Sequence, residues 1–291
     1  NQGQVRALND ISLSIEKGEL FGLIGPDGAG KTSLFRILTT LLLPDTGRAE
    51  VAGYDVVKHY REIRKIAGYM PGRFSLYPDL TVEENLNFFA TVFHTTVESN
   101  YDLIRDIYVQ IEPFKKRMAS KLSGGMKQKL ALCCALIHRP RVLFLDEPTT
   151  GVDPVSRKEF WEMLQKLRGN DLTILVSTPY MDEAALCDRI VLINQGNILD
   201  LDSPDGIIRK FTNKLWAVKA RRMYLLLNAL RNYEHTKSCF GFGESHHLVL
   251  SDAQMGKERV LNYLQSLGHQ DLQMTQIEPS IEDCFMALAS E

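Results

Sequence analysis

An α/β fold with a mainly parallel sheet is predicted by three features of the sequence. Short apolar stretches, Leu20-Phe21-Gly22-Leu23-Ile24, Val142 to Leu145 and Thr173 to Val176, have the length and composition of buried strands. Helix-period segments from Thr32 to Leu42 and from Ser156 to Leu167 alternate with them, the order that builds parallel sheets through crossover helices. The first strand also runs into a glycine-rich turn that opens a helix, with the spacing Gly-x-x-x-x-Gly-Lys-Thr.

Taken in order, Val5 to Ile15 alternates loosely and is expected as a strand, with Glu16-Lys17-Gly18-Glu19 as the turn after it. Beyond the first helix, Pro44-Asp45-Thr46-Gly47 is a turn, and Arg48 to Val51 with Gly53 a returning strand. Ile63 to Tyr69 leads to Met70-Pro71-Gly72-Arg73, which breaks the pattern. Thr81-Val82-Glu83-Glu84 reads as a helix start with acidic first-turn residues. From about 82 to 138 helical periodicity dominates, with Leu86, Phe89 and Val92 on one face, so this block is an inserted helical subdomain. Ile190 to Ile193 and Ile198 to Leu201 flank Gln195-Gly196-Asn197, a hairpin signal. Near residue 211 the pattern changes. Strand (215–220), helix (223–233), strands (237–242 and 246–251), helix (255–267) and strand (271–277) form β-α-β-β-α-β, a small ferredoxin-like α+β arrangement, before a last helix (280–289). The expected division is therefore 1–211 and 212–291.

A chain of 291 residues accommodates one large domain and a small one. Its net charge of −2 supplies no bulk attraction for DNA or RNA, so no nucleic-acid partner is expected. No apolar run approaches the roughly 18 residues of a membrane-spanning helix. Five cysteines, at 133, 134, 187, 239 and 284, have no metal-like spacing; Cys133-Cys134 lies in an apolar helical run and reads as a buried structural pair. A reducing cytoplasm fits this pattern best. The opening on Asn1, without methionine or signal peptide, predicts a trimmed or processed end.

The chemistry starts at Gly25-Pro26-Asp27-Gly28-Ala29-Gly30-Lys31-Thr32, followed by Ser33. Gly28 and Gly30 are expected to clear side chains so that backbone N–H groups can wrap a β-phosphate. The helix N-terminus adds about half a positive charge. Lys31 brings a full charge near the β- and γ-phosphates, and the Thr32 hydroxyl suits Mg²⁺. Val142-Leu143-Phe144-Leu145-Asp146-Glu147 delivers two carboxylates at the C-terminal end of a strand, where open α/β sheets bind ligands. Asp146 suits a Mg²⁺ contact through water, and Glu147 the polarising of a water that attacks the γ-phosphate. Leu122-Ser123-Gly124-Gly125-Met126-Lys127-Gln128 offers a second anion site, a hydroxyl and glycine N–H groups opening a helix.

These three motifs in this order resemble the nucleotide-binding domain of ATP-binding cassette (ABC) transporters, over residues 1 to about 211. Details including Ile281-Glu282-Asp283-Cys284-Phe285 are similar to the ATPases of bacterial ABC-2-type exporters. The resemblance implies a P-loop NTPase cassette that uses ATP and Mg²⁺. It implies a head-to-tail pairing with a second cassette, in the same chain, a heterodimer or a homodimer. Each ATP is then held by one phosphate loop and completed by the other cassette's Ser123-Gly124-Gly125-Met126 segment. Gly151 and Asp153 would form the loop between the two sites, and Phe74 to Leu86 would face a membrane permease subunit. The implied location is the cytoplasmic face of the cell membrane.

Three departures stand out. Gly72 occupies the family's glutamine position, Pro179 its histidine position, and no aromatic precedes Phe21 to stack on adenine, a place that would fall near Gln2 or before the chain. The first two remove contacts to the attacking water and the γ-phosphate, so this chain's own ATP site is expected to be degenerate while its Ser-Gly-Gly segment is intact. The chain thus resembles the first cassette of a tandem or heterodimeric pair. Two other classes are weighed against an exporter ATPase: a soluble cassette acting on DNA or the ribosome, and a regulatory cassette that binds ATP without hydrolysing it. The first lacks the long coiled coils of repair cassettes and the basic linker of ribosomal ones; Gly72 and Pro179 keep the second open.

Overall fold

The computed structural model describes residues 6–168, 171–252 and 256–290. Two compact units divide between Ser203 and Pro204. In the first, strands β1 (Leu20–Ile24), β2 (Glu50–Val51), β3 (Tyr54–Asp55), β4 (Ala67–Met70), β5 (Val142–Asp146), β6 (Thr173–Thr178), β7 (Arg189–Asn194) and β8 (Asn197–Asp202) alternate with helices α1 (Lys31–Leu38), α2 (Tyr60–Ile66), α3 (Val82–Val92), α4 (Tyr101–Tyr108), α5 (Gly124–Leu136) and α6 (Pro154–Leu167). The main sheet has the order β4-β5-β6-β1-β7-β8. Its first five strands pair in parallel and β8 closes the edge antiparallel to β7. Every residue of β1, β5 and β6 is buried, which is why these strands carry unbroken apolar runs. The hairpin turn is supplied by Gln195 and Gly196, both with positive φ.

Two expectations about the amino-terminal part are corrected. Residues 6–15 pair with no strand, and Val5 lies outside the described residues. The alternation is real, since Leu8, Ile11, Leu13 and Ile15 pack on the core around Phe35, Val51 and Phe144. What the segment lacks is a ladder partner for its backbone. The first helix stops at Leu38 instead of running to Leu42. Thr39 donates its hydroxyl to the Phe35 carbonyl, Thr40 takes φ 62°, and the N–H groups of Leu41 and Leu42 both turn back to the Arg36 carbonyl. Leu41, Leu42 and Leu43 are left exposed.

The helical insertion is built from α3, α4 and α5. Thr81 and Glu84 close a reciprocal capping box at the start of α3. Cys133 and Cys134 are fully buried in α5, and desolvation raises both thiols well above their ordinary pKa, as expected of inert structural cysteines. No helix among the described residues is long and apolar enough to cross a membrane.

The second unit contains α7 (Pro204–Lys210), β9 (Leu215–Lys219), α8 (Met223–Arg231), β10 (Thr236–Phe242), β11 (Ser245–Leu250), α9 (Lys257–Ser266), β12 (Gln273–Ile277) and α10 (Ile281–Leu288). The sheet order β10-β11-β9-β12, antiparallel throughout, gives the ferredoxin-like β-α-β-β-α-β arrangement. Val218, Leu226, Leu230, Leu248, Val260, Leu264 and Met274 form its core. The break at 203/204 lies before the expected one, because α7 belongs with α10, against which Ile207 and Cys284 meet. His246 and His247 point to opposite faces: His246 Nε2 lies 2.7 Å from the Met223 carbonyl, and His247 Nδ1 2.6 Å from Asp283 Oδ1.

Candidate nucleotide site

The glycine-rich loop leaves β1 pinned to its neighbours. The Gly25 N–H donates to the Thr178 carbonyl at 3.2 Å. A Cβ at Gly25 would lie 2.1 Å from the Ile193 carbonyl oxygen, so only glycine allows this approach to β7. Gly30, at φ +104°, faces the Ala7 carbonyl, 2.4 Å from where its Cβ would sit. Internal packing thus demands glycine at this position whatever the loop holds. Gly28 has φ +80°, and nothing lies within 4 Å of its missing Cβ. Pro26 and Asp27 complete the turn, with the Ala29 N–H donating to the Pro26 carbonyl.

Lys31 is the first residue of α1 and is 3% exposed. Its Nζ donates to the carbonyls of Gly25 (2.8 Å) and Pro26 (3.0 Å) and lies 3.1 Å from Glu147 Oε1. No side chain caps α1 and no acidic residue stands in its first turn, where Thr32 and Ser33 are half-buried. Such a helix start retains its affinity for an anion.

Opposite stand the two acids of β5. Asp146 is buried, and its Oδ1 accepts the Ser177 hydroxyl at 2.6 Å. Glu147 takes φ 49°, and its N–H donates to both the Ser177 carbonyl and hydroxyl at 3.0 Å. Tyr69, on the adjacent strand, has its phenol pushed up to about 12, first by burial and then by the charge of Asp146. Gly72 abuts the acids, with its missing Cβ 3.0 Å from the Asp146 carbonyl oxygen. Pro179 follows Thr178, whose carbonyl holds Gly25. The residues expected to handle phosphate thus gather at the C-terminal ends of β1, β5 and β6. Thr32 and Asp146 each offer oxygen, the donor type that a hard cation such as Mg²⁺ takes.

The Ser-Gly-Gly segment keeps different company. Ser123 caps α5 by accepting the Met126 N–H at 3.3 Å. A Cβ at Gly125 would meet the Ser156 side chain at 2.7–2.9 Å, and one at Gly124 would lie 3.9 Å from the Gly151 carbonyl. Gly125 is thus required by this chain's own packing. Gly151 has φ +74°, and Asp153 caps α6 through the N–H groups of Val155 and Ser156. Those bonds, the one from Ser156 first, hold the Asp153 carboxyl below its ordinary range.

Two site residues were not evident from sequence. Ser177 orders both acids, and Glu183 is a buried carboxylate that takes hydrogen bonds from Thr149, Thr178 and Arg157. The only forewarning was the polar pair Ser177-Thr178 closing an apolar strand. A cleft of about 1210 Å³ lies away from all of these groups, lined by Ile11, Leu13, Val51, Arg139 and Leu172. Chemistry, not cavity size, identifies the site.

The ABC transporter family matches residues 8–150. The probable multidrug ABC transporter ATP-binding protein YbhF of Escherichia coli (strain K12) is 38% identical over 288 residues, 97% of this chain and 49% of that protein. The chain therefore spans about half the length of this relative. The Nod factor export ATP-binding protein I of Rhizobium sp. (strain N33) is 32% identical over 290 residues, 98% of this chain and 93% of that protein. Among solved structures, an ATP-binding subunit of an ABC transporter superposes with a TM-score of 0.64 at 27% identity, covering 70% of this chain and 87% of that one. With the phosphate loop, the paired acids and the mainly parallel sheet in place, these matches show that the chain belongs to the ABC transporter family, among its ATP-binding domains.

Proposed function

We propose that this chain is the ATP-binding and ATPase part of an ABC exporter, working with a second cassette and membrane permease subunits, and that its own ATP site is degenerate. The observation that carries the reading is the meeting of Lys31, Asp146 and Glu147 with Gly72 and Pro179 at one end of the sheet. The charged groups are present, while two neighbouring positions offer no polar side chain. Lys31, Thr32, Ser33 and the loop N–H groups hold the phosphates. Thr32 and Asp146 would hold Mg²⁺, which when bound neutralises phosphate charge. Glu147 orients the attacking water. Losing one preorganised donor costs about 3–4 kcal/mol, a hundred- to thousandfold in rate. Slow hydrolysis with preserved binding follows. The intact Ser123-Gly124-Gly125-Met126 segment would then complete the partner cassette's site.

Binding is tested by a thermal shift. At a hundredfold excess over its dissociation constant, Mg-ATP adds about 2.7 kcal/mol of apparent stability. The shift is expected in the wild type and absent in Lys31→Ala; equal shifts would remove the phosphate-loop assignment. A regulatory cassette that never hydrolyses is the second reading, favoured by Gly72 and Pro179. Wild-type turnover measured with and without a partner cassette separates the two: slow hydrolysis by this chain's own site that Glu147→Gln abolishes would leave the first reading standing, and none in either case would favour the second.

A further inference from the structure

Glu183 lies in the short 3₁₀ turn Met181–Leu186 and is 2% exposed. Its two oxygens are filled from three separate elements. Oε1 accepts from Thr149 Oγ1 (2.8 Å), beyond β5, and from Arg157 Nε (3.2 Å), on α6. Oε2 accepts from Thr178 Oγ1 (2.6 Å), the last residue of β6. We propose that Glu183 is a positioning residue for ATP hydrolysis, locking the turn after Glu147 and the backbone around Pro179 into one fixed relation.

The bonds run onward from each arm. Beyond Thr149, the Val152 N–H returns to the Thr149 carbonyl and the Thr150 N–H to the Glu147 carbonyl, so the turn from Glu147 toward Asp153 is set by the same anchor. Thr178 is held on both sides, its hydroxyl accepting the Tyr180 N–H at 3.0 Å and its carbonyl the Gly25 N–H. Arg157 also pairs with Asp182 and lies 4.1 Å over the Tyr180 ring. Glu183 is buried while Arg157 is partly exposed and Asp182 exposed, and a buried ion pair is seldom worth more to stability than apolar residues of the same volume. What it gives in return is orientation, here of the segments carrying Glu147, Asp153 and position 179. The consequence for Pro179 is direct: the missing side chain sits on an ordered backbone, so the degenerate site has lost a group and not its scaffold.

This inference rests on the hydrolytic reading above, and its test separates the two. Glu183→Gln keeps the volume and removes the charge. Hydrogen exchange on the full chain is expected to quicken in both 149–153 and 178–181; quickening confined to the 178–184 side, or none, overturns the clamp. In the complete transporter assembly Glu183→Gln is expected to lower kcat at least tenfold with KM for ATP within about twofold, acting through the Thr149 arm on the loop between the two sites at Gly151–Asp153 and not through this chain's own slow site. An unchanged kcat overturns the positioning role. Thr149→Val, which leaves the Glu183–Arg157 pair in place, is expected to lower kcat likewise and to add little in the Glu183→Gln background; full additivity would also overturn it. If wild-type chain shows no Lys31-dependent shift with Mg-ATP, the nucleotide reading fails by itself, while the exchange result still judges the clamp.

Discussion

At the scale of single residues, His138 shows how burial turns into a pH dependence. Its ring stacks on Phe93 at 3.8 Å, its Nε2 lies 3.1 Å from the Ala67 carbonyl, and its Nδ1 is buried without a hydrogen-bond partner. Burial lowers its pKa, opposed by the bond to Ala67. The unfolded chain therefore takes up the proton first, at about 6.5. Stability contributed by neutral His138 is present above that pH and is lost as the pH falls from there toward the lower folded value. The depressed carboxyls of Asp102 and Asp153 act in the same direction only below about 4. Thermal midpoints between pH 7 and 5 should thus fall more steeply in the wild type than in His138→Phe. Parallel slopes would show that the ring titrates normally. None of this could be read from the sequence, where position 138 is one polar residue at the end of an apolar helix.

Individual elements set the limits on how the site can be probed. Gly125 opens α5 against Ser156 of α6, so Gly125→Ala overpacks that crossing before any nucleotide is present. Overpacking typically costs about 1–3 kcal/mol, and a fall of several degrees in the midpoint of the nucleotide-free protein is expected; no fall would mean the crossing relaxes freely. Ser123 is exposed and is the cleaner position. Ser123→Arg removes one capping bond, worth about 1 kcal/mol, and is expected to abolish turnover of the assembled transporter while sparing Mg-ATP binding by this chain. If Lys31→Ala proves equally damaging to turnover, the two ATP sites are equivalent and the asymmetric reading fails. The motifs were legible because their chemistry is local: a loop, a strand end and a helix start each carry their meaning within a few residues. The end of α1 was not, because leucine periodicity runs past Leu38 while Thr39 and Thr40 close the turn. Glu183 was not, because its donors come from positions 149, 157 and 178 and meet only through the fold.

For the whole molecule, the division at 203/204 changes where the chain should be cut. Residues 204–291 have their own core and carry none of the phosphate-site groups. We expect a fragment ending at Ser203 to keep Mg-ATP affinity within about threefold of the full chain, and a large loss would reject the view of the second unit as an accessory. A fragment ending at Phe211 keeps α7 without α10 and strips the cover from Ile207. It should aggregate more readily in light scattering than the shorter one. The strand and helix order of both units was legible from periodicity. The placing of α7 was not, since a short helix between two units has no sequence mark of the one it packs on.

The Lys31–Glu147 contact gives nucleotide binding an unusual ionic bookkeeping. A triphosphate that takes Lys31 as its partner evicts a carboxylate already there, so binding is an exchange of anions. The lysine's charge is spoken for on both sides of the equilibrium. Its contribution to the slope of log affinity against log salt should therefore nearly cancel. Glu147→Gln removes the resident anion and should steepen that slope while tightening Mg-ATP at low ionic strength. Titrations of both proteins from about 50 to 500 mM salt would measure it, and parallel lines would mean that the pair opens at no electrostatic cost.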